Sequence, residues 1–234
     1  MATNTKTTVL DILQQISDLR GESSTNTDAN RIRFVSRTER DFARRFFWRI
    51  FLLPNQTQVG SGVNDYTVGS ATYPFRPKGL TEVFVNTTGS SDMTAESCRY
   101  QIVDYAKFKN LYNRNNAERM VYEWYDVAND LWKMHINPAP EATETITYSY
   151  FWEPPTRTVT TDAIVCPNPK ILALLAAADL YDSEDELQKA QLYKNEAEQL
   201  ILELQSLENT PAVNQLYSMG AIENSISEHG LGSY

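Results

Sequence analysis

The residue types that most often carry catalysis or bind metals are scarce in this chain. It has two histidines, His135 and His229, and two cysteines, Cys98 and Cys166. Neither histidine has a cysteine or carboxylate at zinc-ligand spacing, and no Gly-x-Ser-x-Gly motif accompanies them as a nucleophile. The sequence also lacks a Walker A motif and Gly-x-Gly-x-x-Gly, and nothing selects a carboxylate pair for glycoside cleavage. We therefore expect no enzyme, no metal, no cofactor and two reduced thiols.

The most distinctive pattern is a basic-aromatic segment, RTERDFARRFFWR at positions 37–49. One interpretation is a protein contact surface, where guanidinium groups pair with carboxylates and aromatic rings anchor the interface. A second is an amphipathic helix whose arginine stems border the core, and a third is a helix that reads DNA. The contact hypothesis assigns a subunit or portal interface to Arg37, Arg40, Arg44, Arg45, Arg49 and Trp48.

Acidic residues concentrate between positions 179 and 208. This stretch holds nine acidic residues against Lys189 and Lys194, which leaves a local charge of −7. A basic and an acidic helix on one subunit suit head-to-tail contacts around a closed ring. The same charges could instead pair within one subunit.

The whole chain of 234 residues has a formal charge of −9. This charge argues against tight, sequence-independent DNA binding, although an acidic surface lets DNA pass without sticking. No signal peptide and no stretch of membrane-spanning length is visible, so we expect synthesis in the cytoplasm and no membrane.

The elements around these segments are helical at both ends. Apolar spacing predicts a helix over 7–20, followed by a polar loop over 21–30. Ser36 and Glu39 match a capping box, which would start a second helix with its apolar stripe at Phe42, Phe46, Ile50 and Leu53, ending at Pro54. Asn168-Pro169 marks the start of a buried helix. Ser183 and Glu186 match another capping box, before a stripe formed by Leu187, Ala190, Tyr193, Ala197, Leu200, Leu204 and Leu207.

Between the helical parts the hydrophobic period changes to two. Strands are predicted around 82–85, 120–125, 132–136 and 145–152, with a short helix over 104–114 that turns Tyr105, Phe108, Leu111 and Tyr112 inward. The predicted fold class is α+β, a helical bundle with an inserted small antiparallel β-sheet or sandwich and an extended C-terminal tail. The expected divisions are N-terminal helices (1–56), a β-rich insert (57–166), helices completing the bundle (167–209) and a docking tail (210–234).

The order of these elements resembles the head-to-tail adaptor proteins of tailed bacteriophages, also called connector, head-completion or tail-tubular proteins. The resemblance rests on the basic-aromatic helix RDFARRFFWRIFLLP, the segment RYQIVDYAKFKNLYNR with strands MVYEWYDV and LWKMHINPAP, and the helical ILALLAAADLYDSEDELQKAQLYKNEAEQLILEL before a long tail.

The resemblance implies a structural virion protein that forms a ring, commonly of twelve subunits, between the portal of the head and the tail or nozzle proteins. Double-stranded DNA would pass through the bore of the ring without specific binding during genome packaging and ejection. The resemblance further implies a C-terminal tail that reaches the portal or a neighbouring subunit. We expect its contacts at Leu216, Tyr217, Ile222, Ile226 and Tyr234.

Two other classes remain open beside an enzyme. Another phage tail or baseplate subunit would share the β-rich body and differ in its neighbours. A ligand- or carbohydrate-binding β-module would need an exposed aromatic platform, whereas Tyr148, Tyr150 and Trp152 alternate as core residues do.

Overall fold

A computed structural model of the chain describes residues 6–87, 99–112 and 119–208. These residues form a mixed α+β structure, as the sequence predicts. The helices and strands of the described part are α1 (Val9–Arg20), α2 (Ala29–Arg45), β1 (Leu52–Val59), β2 (Asp65–Thr67), β3 (Phe75–Thr87), β4 (Gln101–Ile102), α3 (Tyr105–Tyr112), β5 (Met120–Asp126), β6 (Leu131–Asn137), β7 (Glu144–Trp152), α4 (Pro169–Ser183) and α5 (Leu187–Glu208).

Contacts divide the chain into two compact units. The first contains the described residues of Met1–Glu39 and Arg157–Tyr234, and the second those of Arg40–Thr156. The first unit is helical and the second carries both sheets. The division falls inside α2, so this helix contributes residues to each unit.

Helix α4 forms the core of the helical unit. Asn168 caps it by accepting a hydrogen bond from the Lys170 backbone N–H, and Pro169 occupies the first turn, as predicted. Ten of its residues are buried, including Leu172 and Leu174, and it packs against α1 and α5. A helix that is apolar on nearly all sides has no face suited to water, so other elements must pack around it.

Helix α1 begins and ends close to its predicted limits. Thr8 and Asp11 form a capping box, and Gly21 ends the helix with φ 66° in the left-handed region. The segment after β7 pairs with its start, because the Val9 N–H donates to the Asp162 carbonyl over 2.9 Å. Helix α1 therefore has backbone contacts with a segment about 150 residues away in the sequence.

Helix α2 differs from its prediction at both ends. It begins at Ala29, where the Asp28 carboxylate accepts from the Arg31 N–H over 2.9 Å, so the predicted loop over 21–30 is too long. The Ser36–Glu39 capping box is wrong, because both residues lie within the helix. Ile32 and Val35 are buried one turn earlier and extend the apolar face upstream.

The C-terminal limit of this helix is also earlier than predicted. The helix ends at Arg45, and a short 3-10 turn over Arg49–Phe51 leads into β1. Pro54 lies within strand β1 instead of ending a helix. The predicted helical stripe through Ile50 and Leu53 is therefore wrong.

The second unit contains two sheets. Strand β7 lies between β1 and β3, both antiparallel to it, and the other sheet has the order β2-β6-β5-β4. The pair β4–β5 is parallel, an exception to the antiparallel prediction. Along β7 the polar residues Thr147 and Ser149 are buried together with the apolar residues between which they lie. A central strand covered on both faces buries its polar positions as well.

Aromatic rings fill the interior of this unit. Phe42 stacks on Trp48 with ring centroids 4.7 Å apart, and Phe51 meets Trp152 edge to face at 5.3 Å. The helix over Tyr105–Tyr112 buries Phe108 and packs Leu111 against the strands as predicted. Tyr105, however, is 60% exposed, so its inward placement is wrong, and the Tyr112 side chain lies outside the described part.

Helix α5 corrects two further expectations. Ser183 is the last residue of α4 and its hydroxyl donates to the Leu180 carbonyl, so the Ser183–Glu186 capping box is wrong. The buried face consists of Ala190, Ala197 and Ile201. Leu187 and Leu207, both expected in the apolar stripe, are exposed.

Candidate assembly interface

The predicted contact arginines of α2 have partners within their own chain. The Arg37 guanidinium meets the Asp179 carboxylate at 2.5 Å, and Arg40 donates to the Thr156 hydroxyl over 2.6 Å. Arg44 forms a two-point pair with Glu153 at 2.6 and 3.0 Å, and these hydrogen bonds raise the pKa of Arg44. The second interpretation of the segment, arginines that border the core, thus describes much of what these side chains do.

The remaining predicted contacts separate into surface and core. Arg45 lies at the end of α2, Arg49 lies in the 3-10 turn, and both are exposed. Trp48 is completely buried and donates from Nε1 to the Phe42 carbonyl over 2.9 Å. A residue with no accessible surface is a core residue, so its assignment to the interface is wrong. The five tail residues, Leu216 to Tyr234, lie outside the described residues.

Arg76 fixes the end of α2 within the second unit. Its guanidinium donates to the carbonyls of Ala43, Arg44 and Phe46 over 2.7–2.9 Å and lies 4.3 Å from the ring centre of Phe47. The last carbonyls of a helix accept no hydrogen bond from within the helix. The planar Arg76 guanidinium, which has several N–H donors, supplies these hydrogen bonds instead.

A basic-aromatic groove lies on the exposed side of the first half of α2. Its walls are Asn30, Arg33, Phe34 and Arg37, and its volume is about 310 Å³. Phe34 is half-buried, and the Arg37 guanidinium lies 5.5 Å from its ring centre. Arg33 is exposed and has no ion pair among residues 6–87, 99–112 and 119–208. Among the described residues, Arg33 is therefore a solvent-exposed cation without an ionic partner, next to an aromatic ring.

Arg33, Phe34 and Asn30 are not among the predicted contact residues, because the predicted helix begins only at Ser36. The available signal was Asp28, a good capping residue three positions before Arg31, followed by the apolar pair Ile32 and Val35.

The acidic segment is partly neutralised within the chain. Five of its nine carboxylates meet a cation, in the pairs Arg37–Asp179, Arg20–Glu184, Lys194–Asp182, Lys189–Glu186 and Lys170–Glu196. Pairing within one subunit, the second of the two alternatives, therefore accounts for part of the charge. Asp185 and Glu203 are exposed and have no cationic partner in the described part of the chain.

A charge cluster joins the first two helices to α4. The Glu22 carboxylate forms ion pairs with the guanidinium groups of Arg31 at 2.6 Å and Arg20 at 2.7 Å. Arg20 also forms an ion pair with Glu184 at 2.8 Å. Hydrogen bonds from Arg31, then from Arg20 and Ser17, lower the pKa of Glu22 to about 2, against the opposing effect of burial. The carboxylate is ionised throughout the physiological range.

The candidate reactive residues have ordinary structural neighbours. His135 Nδ1 lies 2.8 Å from Asp65 Oδ1, with Tyr122 and Phe108 around the ring. Burial raises the pKa of the Cys166 thiol to about 12, so it is protonated at neutral pH. No group of three metal-ligating side chains occurs among the described residues, and none of the described helices is long and apolar enough to cross a membrane. Cys98 and His229 lie outside the described part.

The described residues thus form a mixed α+β fold that presents a basic-aromatic surface on α2 and exposed acidic residues on α5. The chain belongs to the SU10 adaptor protein family, a family of phage head-tail adaptors, whose model matches residues 7–216. No curated protein matches the sequence. Membership makes the chain a structural component of the phage virion and implies interaction with portal and tail proteins.

Proposed function

We propose that this adaptor forms a ring, of twelve copies, that joins the portal of the phage head to the tail and surrounds the DNA channel. The observation that carries the proposal is the family match over residues 7–216, which spans the described parts of both units. An adaptor between two ring-shaped assemblies meets copies of itself as well as partners above and below, which requires heterologous contacts that close by rotation.

The surface charge supports a passive role toward DNA. The chain carries a formal charge of −9. Among the predicted contact arginines, Arg37 and Arg44 are paired with carboxylates of the same chain, which makes them less available to phosphates. DNA then slides through the bore during packaging and ejection without specific binding.

The C-terminal segment is the proposed docking element. Residues 210–234 follow α5 with sparse apolar residues among polar ones, a composition that orders on binding a partner. The four-part division at 56/57, 166/167 and 209/210 stays a prediction, as do the contacts of Leu216, Tyr217, Ile222, Ile226 and Tyr234. In this proposal the protein is made in the host cytoplasm, acts at the head-tail junction and catalyses no reaction.

The aromatic residues of β7 give no support to the alternative of a carbohydrate-binding module. Tyr148, Tyr150 and Trp152 are at most 6% exposed, so these rings do not provide a stacking platform for sugars. A tail or baseplate subunit differs from the proposal in its neighbours, which the experiment below identifies.

The test is the solution mass of the full chain and of a chain truncated after Asn209, each alone, with the portal protein of the same phage, and with its baseplate proteins. Rings, or a monomer that assembles when portal is added, support the proposal, and loss of portal binding on truncation supports the docking role of the tail. A monomer that ignores the portal, or one that assembles only with baseplate proteins, contradicts it.

A further inference from the structure

The basic-aromatic groove carries a charge that has no ionic partner among the described residues. Arg33 and Arg37 are one helical turn apart on α2, with Phe34 between them. Arg37 is already held by Asp179 at 2.5 Å, whereas Arg33 has no ion pair in the described part of the chain. These groups favour a ligand that brings a carboxylate to Arg33 and apolar surface to Phe34.

Nucleic acid fits this groove poorly. Phosphate binding draws on several cations along a track, because each neutralised phosphate adds to the affinity. Here Arg33 has no ion pair with any residue that the structure describes, and its neighbour Arg37 is neutralised by a carboxylate of the same chain. A single free guanidinium beside a ring is instead typical of protein interfaces, where arginine and aromatic residues dominate the binding energy.

The outer face of α5 has the complementary groups. Leu202 is 63% exposed, and the adjacent Glu203 is exposed without a cationic partner among the described residues. Arg33 and Glu203 belong to the same compact unit, yet no pair forms between them within one chain. Their complementary charges are satisfied if the groove of one copy meets the α5 of the next.

We propose that the groove formed by Asn30, Arg33, Phe34 and Arg37 binds the outer face of α5 from a second copy of this chain, with Arg33 paired to Glu203 and Phe34 packed on Leu202. This inference rests on the proposed ring, for which it names one contact between subunits. The contact uses different surfaces on its two sides, as a heterologous interface requires.

The test is a charge exchange in the full-length chain, assayed by mass in solution with portal present. Arg33→Glu alone and Glu203→Arg alone each place like charges together, so each raises the concentration needed for assembly by roughly tenfold or more. The double variant Arg33→Glu/Glu203→Arg restores the pair in reversed order and recovers assembly. Lys107→Glu, an equal charge change at an exposed lysine on α3, is the matched control and leaves assembly unchanged.

The outcomes separate this inference from the proposed function. If wild-type rings form and the single variants assemble normally, the groove is not the subunit contact, although the ring proposal stands. The same conclusion follows if Arg33→Glu abolishes portal or DNA binding while rings persist, because the groove then faces another partner. If the wild-type chain never self-associates, both proposals fail.

Discussion

Glu39 and Arg157 form a two-point ion pair inside the helical unit, with Nε–Oε2 at 2.8 Å and Nη2–Oε1 at 2.9 Å. Glu39 is completely buried and also accepts the Val165 N–H over 2.8 Å. The neighbouring Ser36 hydroxyl accepts the Arg157 N–H over 2.9 Å. The pair thereby fixes the segment after the β-rich unit to the middle of α2.

Removing one partner of this pair is expected to destabilise the protein strongly. Glu39→Ala leaves the Arg157 guanidinium buried without its counterion, which lowers the free energy of unfolding by about 3–5 kcal/mol. Arg37→Ala, at a pair whose arginine is 59% exposed, costs only about 0–1 kcal/mol. Urea denaturation of both variants measures the contrast, and equal losses would show that the buried pair has no special role.

A double variant distinguishes the cost of an unpaired buried charge from the cost of losing the surrounding hydrogen bonds. Glu39→Met/Arg157→Met removes both charges and keeps apolar volume, so it is expected to recover much of the stability lost in Glu39→Ala. A double variant as unstable as the single one would indicate that the surrounding hydrogen bonds, not the unpaired charge, carry the cost.

The Glu22 cluster predicts a defined loss of stability in acid. Because arginine hydrogen bonds lower the pKa of Glu22 to about 2 in the folded state, against roughly 4.3 in an unfolded chain, its contribution is present above pH 4.3 and is lost as the pH falls toward 2. Glu22→Gln is expected to be less stable than wild type at pH 7, with the difference shrinking below pH 4. Denaturant midpoints between pH 2 and 7 measure this, and a constant difference would contradict it.

The Cys166 thiol, half-buried and with a raised pKa, is expected to react slowly. In a Cys98→Ser variant, Cys166 is the single thiol, and its raised pKa of about 12 leaves little thiolate at pH 8. Its reaction with a disulfide reagent is expected to be roughly a thousandfold slower in buffer than in denaturant. Similar rates in both solutions would show that the thiol is accessible in the native protein.

The cap on α2 depends on guanidinium geometry. Arg76→Leu leaves the carbonyls of Ala43, Arg44 and Phe46 without their shared donor, at a cost of about 1.5–3 kcal/mol. Arg76→Lys keeps the charge but lacks the fork that reaches three acceptors, so we expect an intermediate loss in a thermal unfolding scan. Wild-type stability in the lysine variant would show that charge alone suffices.

Local patterns in the sequence predicted the elements well. The strand around 145–152 and the Asn168-Pro169 helix start carry their signals within a few neighbouring residues, so both are present as expected. The alternation of apolar residues along β7 is likewise a local property of a pleated strand. What the alternation does not reveal is that neighbouring elements cover both of its faces.

The sequence-based predictions fail where the role of a residue depends on a contact with a residue far away in the sequence. Ser36 and Glu39 match a capping box, but their partner is Arg157, 118 or more residues away in the chain. Leucine spacing along α5 does not show which face of the helix α4 covers. The predicted apolar stripe therefore includes the exposed Leu187 and omits the buried Ile201. Trp48 resembles an interface anchor until Phe42 and its carbonyl are seen to enclose it.

The most direct test of the adaptor's proposed role is electron cryo-microscopy of the full-length chain mixed with the portal protein of its phage. We expect twelve copies in a closed ring, coaxial with the portal and open at the centre, with residues 210–234 ordered against the portal or a neighbouring subunit. Portal particles that carry no added ring, under conditions where both proteins are folded and in excess, would contradict it.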